Sequence, residues 1–304
     1  MVSKSAQALL DLAVDAAPLD TQSVEQNRAG AAQIVGLTGE ATPVHEVFDT
    51  HVAGVPVRVY RPTENPSSPV VAFFHGGGWV VGDLDLADTT ARDLAVFSQA
   101  VVVSVDYRLA PEHPFPAAFD DAVGVTRALL DGTSGLDIDP ERVAVAGDSA
   151  GGNLAAVTAL ALRQHPRALR HQALIYPVTQ ASVGATESYR KYGEGFLLQA
   201  RDMQWSFDQY APGADPTDPR LAPLAVPDLR GAPATTMILA EYDPLHDEGA
   251  DYAQRLREAG VPVDVHEFPG QIHIFVYYAG LIPEAVEARR KVGQALGAAL
   301  GTLA

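Results

Sequence analysis

Cysteine is absent from all 304 residues, and that one gap removes disulfides, thiolate nucleophiles and cysteine-ligated metals together. It suits a reducing compartment. No uncharged apolar run approaches the roughly 20 residues that a membrane-spanning helix requires. Near the N-terminus, Asp11 and Asp15 interrupt the apolar residues that follow Lys4, so no signal-peptide core forms and a cytoplasmic location is expected. Basic residues are scarce: 21 Lys and Arg stand against 38 Asp and Glu, a net charge of −17 that repels nucleic acid and anionic membranes. Neither a nucleic-acid partner nor stable membrane insertion is expected. Internal repeats and linker-like stretches are missing too, so a chain of 47% hydrophobic residues reads as one domain over 1–304.

What is present has a rhythm. Residues 3 to 36 read as two helices, with Ala6, Leu9, Leu10 and Ala13 on one face and Ser23 with Gln26 resembling a capping box. Val44 to Phe48 and the alternating Val55 to Tyr60 follow, joined through Ala53-Gly54 like an antiparallel pair. Continuous apolar runs then alternate with helical stretches: Val70 to Phe74, Ala100 to Val105, Val143 to Ala146, Ala173 to Tyr176, Thr236 to Ala240 and Val261 to Phe268. Runs apolar on both faces, separated by helices, indicate an α/β chain whose largely parallel sheet, of about eight strands, is covered on both sides. The rhythm breaks between Pro177 and Pro233, a detour holding Phe196, Trp205, Phe207 and Tyr210. Such detours usually cover a site.

The chain is organised around Gly147-Asp148-Ser149-Ala150-Gly151-Gly152-Asn153, which reads as strand, sharp turn and helix. A serine between glycines there suits a nucleophile elbow, because small neighbours allow a strained backbone and leave the hydroxyl clear. Alone, the pattern is as readily an ordinary turn. Open parallel sheets place their chemistry at the carboxyl ends of the strands, and partners stand there. After Val70 to Phe74 comes His75-Gly76-Gly77-Gly78-Trp79, whose bare backbone N–H groups, with that of Ala150, can form an oxyanion hole. A phosphate loop fits less well, since no Lys-Ser/Thr follows and the next charges are Asp83 and Asp85.

An acid is expected at the end of a later strand. Asp243 stands there before a proline, whereas Asp247 and Glu248 fall in the first turn of a helix and suit its dipole. Of the histidines beyond it, His246 is too near in sequence and His266 alternates within a strand. His273, in the Pro269 to His273 loop after the last strand, is positioned to reach the elbow. Ser, Asp and His in that order at strand ends read as a catalytic triad.

These residues carry a resemblance. His75 to Trp79, Tyr107 to Pro116, the Gly147 to Asn153 elbow and Asp243-Pro244-Leu245 together resemble the bacterial hormone-sensitive lipase family of carboxylesterases, in its GDSAG branch, from about residue 55 to 280. The resemblance implies an α/β-hydrolase fold: an eight-stranded, mostly parallel sheet flanked by helices, with a helical cap from about 1–42 and about 178–232. It makes Ser149 the nucleophile, Asp243 the acid, His273 the base, and Gly77, Gly78 and Ala150 the oxyanion donors, with Gly76 completing the motif. It further implies a short-to-medium acyl ester as the small-molecule substrate and no metal or organic cofactor; no HExxH, EF-hand or dinucleotide fingerprint is present. Trp79, Trp205 and Phe207 are candidates to line the pocket, with plain packing as their alternative. Ile274 follows the histidine where glycine is common, which bears on the loop's shape. The same machinery would serve an amidase, peptidase or thioesterase, and the fold also occurs in non-catalytic ligand receptors, which lack a triad member. Oligomeric state is not legible here, and a homodimer is left open.

Overall fold

Strand residues alternate between faces, and in the central strands of this chain both faces are apolar. Val70, Ala72 and Phe74 enter one buried cluster while Val71 and Phe73 enter another. The computed structural model, which describes residues 1–303, builds eight strands: β1 (Glu46–Val52), β2 (Val55–Arg61), β3 (Ser68–Phe74), β4 (Val101–Val105), β5 (Ile138–Asp148), β6 (His171–Ile175), β7 (Thr235–Tyr242) and β8 (Val263–Ile272). Their order is β1-β2-β4-β3-β5-β6-β7-β8. The pairings of β2 with β1 and with β4 are antiparallel, and the others are parallel. Helices α4 (Ala117–Asp131), α5 (Ala150–Ala161) and α8 (His246–Glu258) feed one cluster; α3 (Leu84–Ser98) and α9 (Pro283–Leu300) feed the other.

The eight strands fall where the apolar runs predict them, with one difference that matters for the site. β8 does not stop at Phe268 but continues to Ile272, so the expected loop before His273 is strand. A register shift between Ala240 and Tyr242 lets Tyr242 pair with Ile272, and Gly270, at φ +77°, absorbs the kink while its N–H donates to Glu241 Oε2 at 2.7 Å. His273 thus leaves directly from a paired strand end.

Above the carboxyl ends lie helices from two distant parts of the chain. α1 (Lys4–Leu12) and α2 (Val24–Gln33) come from the N-terminus, and α2 starts with the capping box expected of Ser23 and Gln26. α6 (Glu187–Tyr192) and α7 (Ala200–Tyr210) come from the detour after β6. Arg201 joins the two groups through Asp20 at 2.6 Å. Among the described residues no helix is long and apolar enough to cross a membrane.

Candidate active site

The turn after β5 holds Ser149 at φ 53° and ψ −119°, a conformation that costs a non-glycine residue about 1–3 kcal/mol. Its surroundings enforce it. Ser149 N–H donates to Ile175 O at 2.9 Å, and Ser149 O accepts from Asn153 and Val178. The flanking glycines are steric necessities: a Cβ on Gly151 would stand 2.0 Å from Phe74 O, and one on Gly147 2.2 Å from Gly151 O. The bend therefore rests against β3 and β6, and Ser149 Oγ projects where His273 reaches it.

His273 Nε2 lies 2.9 Å from Ser149 Oγ, and its Nδ1 lies 2.6 Å from Asp243 Oδ2. Histidine and aspartate are both buried, and Asp243 Oδ1 accepts from Leu245 N–H at 2.8 Å, which fixes the carboxylate plane. The Tyr176 ring packs against the imidazole at a tilt of 53°, with the ring centroids 4.5 Å apart. With Nδ1–H directed at a carboxylate, Nε2 is the nitrogen free to accept the serine proton. The alternative residues lie elsewhere: His246 sits between Asp247 and Glu267, His266 meets Asp264, and Asp247 accepts from Ser188 N–H at the start of α6.

Among the described residues, the N–H groups of Gly77, Gly78 and Ala150 donate to no protein acceptor, and all three residues adjoin Ser149 across the turn or line the same cavity. Gly76 differs, and its expected place in the oxyanion hole is corrected here. Its N–H already donates to Asp148 Oδ1 at 2.9 Å and approaches Tyr277 Oη at 3.2 Å, so it is turned into the protein. The Tyr277 hydroxyl also donates to Asp148 Oδ1, at 2.6 Å. Asp148 thus connects the elbow, the glycine loop and the turn after His273. Complete burial pushes its carboxyl up to about 6, against the lowering effect of these donors. Glu248, also fully buried, accepts from Thr179 and Gln180 N–H where the detour begins, and burial raises it to about 8. Neither Asp148 nor Tyr277 was marked by sequence reasoning, although Asp148 stands inside the elbow motif itself.

A cavity of about 830 Å³ opens over Ser149, Gly77, Gly78 and His273. Trp79, Trp205 and Phe207 do not line it, contrary to one of the two expectations for them. Trp79 is fully buried, stacked on Tyr210 at 4.5 Å with Phe207 at 5.4 Å, and Trp205 is half-buried against the same core. The apolar lining instead includes Phe196, Leu197, Leu198, Met203 and Ile274. Ile274 occupies the left-handed region at φ 58°, which accounts for glycine being the easier residue there. No group of three or more His, Cys, Asp or Glu side chains among the described residues is arranged to hold a metal.

The profile of the family described as the alpha/beta hydrolase fold matches residues 71–277, more than half of the chain. The chain belongs to this family. Similar members include an ethyl acetate hydrolase of Pseudomonas putida, 40% identical over 89% of this chain and 87% of that protein. Carboxylesterase NlhH of Mycobacterium tuberculosis is 42% identical over 81% and 79% of the respective chains. Among solved structures, a hyperthermophilic esterase from Pyrobaculum calidifontis aligns with a TM-score of 0.91 at 37% identity, covering 98% of each chain. An ester-hydrolase from the metagenome of Lake Arreo gives 0.94 at 36% identity over 99% of this chain and 100% of that one. The family's hydrolase fold and the sheet described above are the same architecture.

Proposed function

We propose that this carboxylic ester hydrolase works through an acyl-enzyme on Ser149, with His273 as base and acid, Asp243 as its partner, and short to medium acyl esters as substrates. The observation that carries the reading is the continuous relay from Ser149 Oγ to His273 at 2.9 Å and on to Asp243 at 2.6 Å. His273 takes the serine proton as Oγ attacks the ester carbonyl. Asp243 stabilises the imidazolium that results, and the N–H groups of Gly77, Gly78 and Ala150 receive the negative oxygen. His273 then returns the proton to the departing alcohol, and water repeats the sequence to release the acid. Ester over amide or thioester is supported by the relatives, since the triad fixes acyl transfer and leaves the leaving group open. The acyl-length reading is supported by the finite cavity beside Ser149, about 830 Å³, which Phe196, Leu197, Leu198 and Met203 bound on the side of the detour.

Ser149→Ala removes the attacking oxygen and should lower kcat for p-nitrophenyl butyrate by about 10⁴-fold or more with an unchanged melting temperature. A fluorophosphonate should label the native protein and spare the variant. Retained turnover in the folded variant, or a native protein that resists the reagent, would refute the assignment.

A further inference from the structure

The cavity over Ser149 is apolar over much of its lining, with polar side chains set among the apolar ones. The detour supplies Phe196, Leu197, Leu198 and Met203 beside Gln199, Asp202 and Ser206, whereas the N-terminal segment sets a group of amides and a carboxylate, Gln7, Asp11, Gln22, Gln26 and Gln33, among apolar residues such as Leu10, Leu19 and Ile34. Three of the amides are oriented by the protein. Gln7 Nε2 donates to Asp11 Oδ1 at 2.8 Å and Gln22 Nε2 donates to Ala17 O at 2.9 Å, so each keeps its Oε1 as a free acceptor. Gln26 Oε1 accepts from Ser23 N–H at 2.9 Å, so its free end is the Nε2 donor. An amide pinned at one end loses little further freedom when a ligand takes the other, which favours its use in binding.

The electrostatics of the cavity point the same way. Among the described residues no Lys or Arg lines it, and its carboxylates are Asp11 and Asp202. The neighbouring cations are engaged elsewhere: Arg28 with Glu112 at 2.7 Å, and Arg201 with Asp20. A substrate carboxylate or phosphate would lose water here and meet like charge, with the chain's net −17 adding repulsion at longer range. For a cation, few carboxylate oxygens are left free for direct contact. Both oxygens of Asp202 accept backbone N–H groups, from Leu19 and Gln199, and Asp11 already accepts from Gln7.

We infer that the preferred substrates are uncharged esters whose part remote from the scissile bond carries hydroxyl or amide groups, and that the site discriminates against anionic esters. The inference rests on the ester-hydrolase reading above. Hydroxyls would bond to the oriented amides of the N-terminal segment while the hydrocarbon part lies on the apolar residues that both segments contribute.

The test uses butyrate esters of 1-butanol, glycerol, glycolate and choline, with each kcat/KM divided by that ester's hydroxide-catalysed rate constant to remove leaving-group reactivity. The glyceryl ester should match or exceed the butyl ester, and the glycolate ester should fall about tenfold or more below the glyceryl ester at low salt. Raising the salt concentration should narrow the second gap and leave the first, because only the second is electrostatic. Gln22→Leu combined with Gln33→Leu should lower the glyceryl-to-butyl ratio about fivefold, and Gln7→Leu should shift it the same way without touching α2. A glycolate ester cleaved within about twofold of the glyceryl ester would overturn the inference, as would a choline ester cleaved best or a ratio unmoved in folded variants. If all four esters were cleaved alike, this inference alone would fail; if none were cleaved, the ester-hydrolase reading would fail first.

Discussion

Two carboxylates close together in the sequence after β7 are separated in role by what each one holds. Asp243 spends one oxygen on Leu245 N–H and offers the other to His273, while Asp247 secures Ser188 and His246. Asp243→Asn and His273→Ala should therefore each reduce kcat by about 10⁴-fold, and Asp247→Asn, His246→Ala and His266→Ala should stay within about tenfold of the native rate. A larger loss for folded Asp247→Asn than for folded Asp243→Asn would reassign the acid. That Asp243, and not Asp247, meets His273 was legible in the sequence because a strand end followed by proline differs from the first turn of a helix. The roles within Gly76-Gly77-Gly78 were not legible. Three adjacent glycines look alike until Asp148 and Tyr277, distant in sequence, claim one of the N–H groups. Likewise, nothing local tells a tryptophan that will stack under the glycine loop from one that will face a substrate.

The helices over the site depend on contacts of very different range, which decided how well each could be foreseen. α1 and α2 carry their own signals, an apolar face and a capping box. α6 and α7 are placed by remote partners, Asp247 for one and Asp20 for the other, so the detour reads only as an interruption. α2 is also tied to the body of the fold through Arg28, whose guanidinium donates to Val80 O, Ala110 O and Glu112. These contacts place the N-terminal segment over one side of the cavity. Each methylene of an acyl chain contributes about 0.8 kcal/mol while it can be buried, so kcat/KM should rise over the first carbons and fall once the chain meets the wall. Across p-nitrophenyl esters from acetate to palmitate, the intact protein should peak at short or medium length, and removal of residues 1–35 should flatten the peak and lower its height. A maximum at palmitate, or an identical profile after the deletion, would show that this segment does not shape selectivity.

At the scale of the whole molecule the sheet was the most legible feature, because strands buried on both faces leave unbroken apolar runs in the sequence. What such runs conceal is the set of buried acids between them. Asp148, raised to about 6, and Glu248, raised to about 8, hold protons in the folded state that the unfolded chain releases near roughly pH 4. Their stabilising contribution is complete below that point and is lost as pH rises through about 6 and about 8 respectively. Asp148→Asn and Glu248→Gln lack this titration, so their melting temperatures should improve relative to the native protein between pH 5 and pH 9. For Asp148 the change is bounded at about 3 kcal/mol. A difference that stayed constant with pH would mean that neither acid gains its proton on folding.

The N-terminal segment closes on parts of the chain that are made much later. Ser3 N–H donates to Gly270 O, and Gly280 N–H donates to Leu37 O. During synthesis this segment has no resting place until β8 and the turn after it have left the ribosome. His273 lies in that same late stretch. A ribosome-bound chain can thus assemble the early strands and the elbow, yet the histidine that meets Ser149 and the covering of the site arrive together, only once the stretch from β8 to Gly280 has emerged.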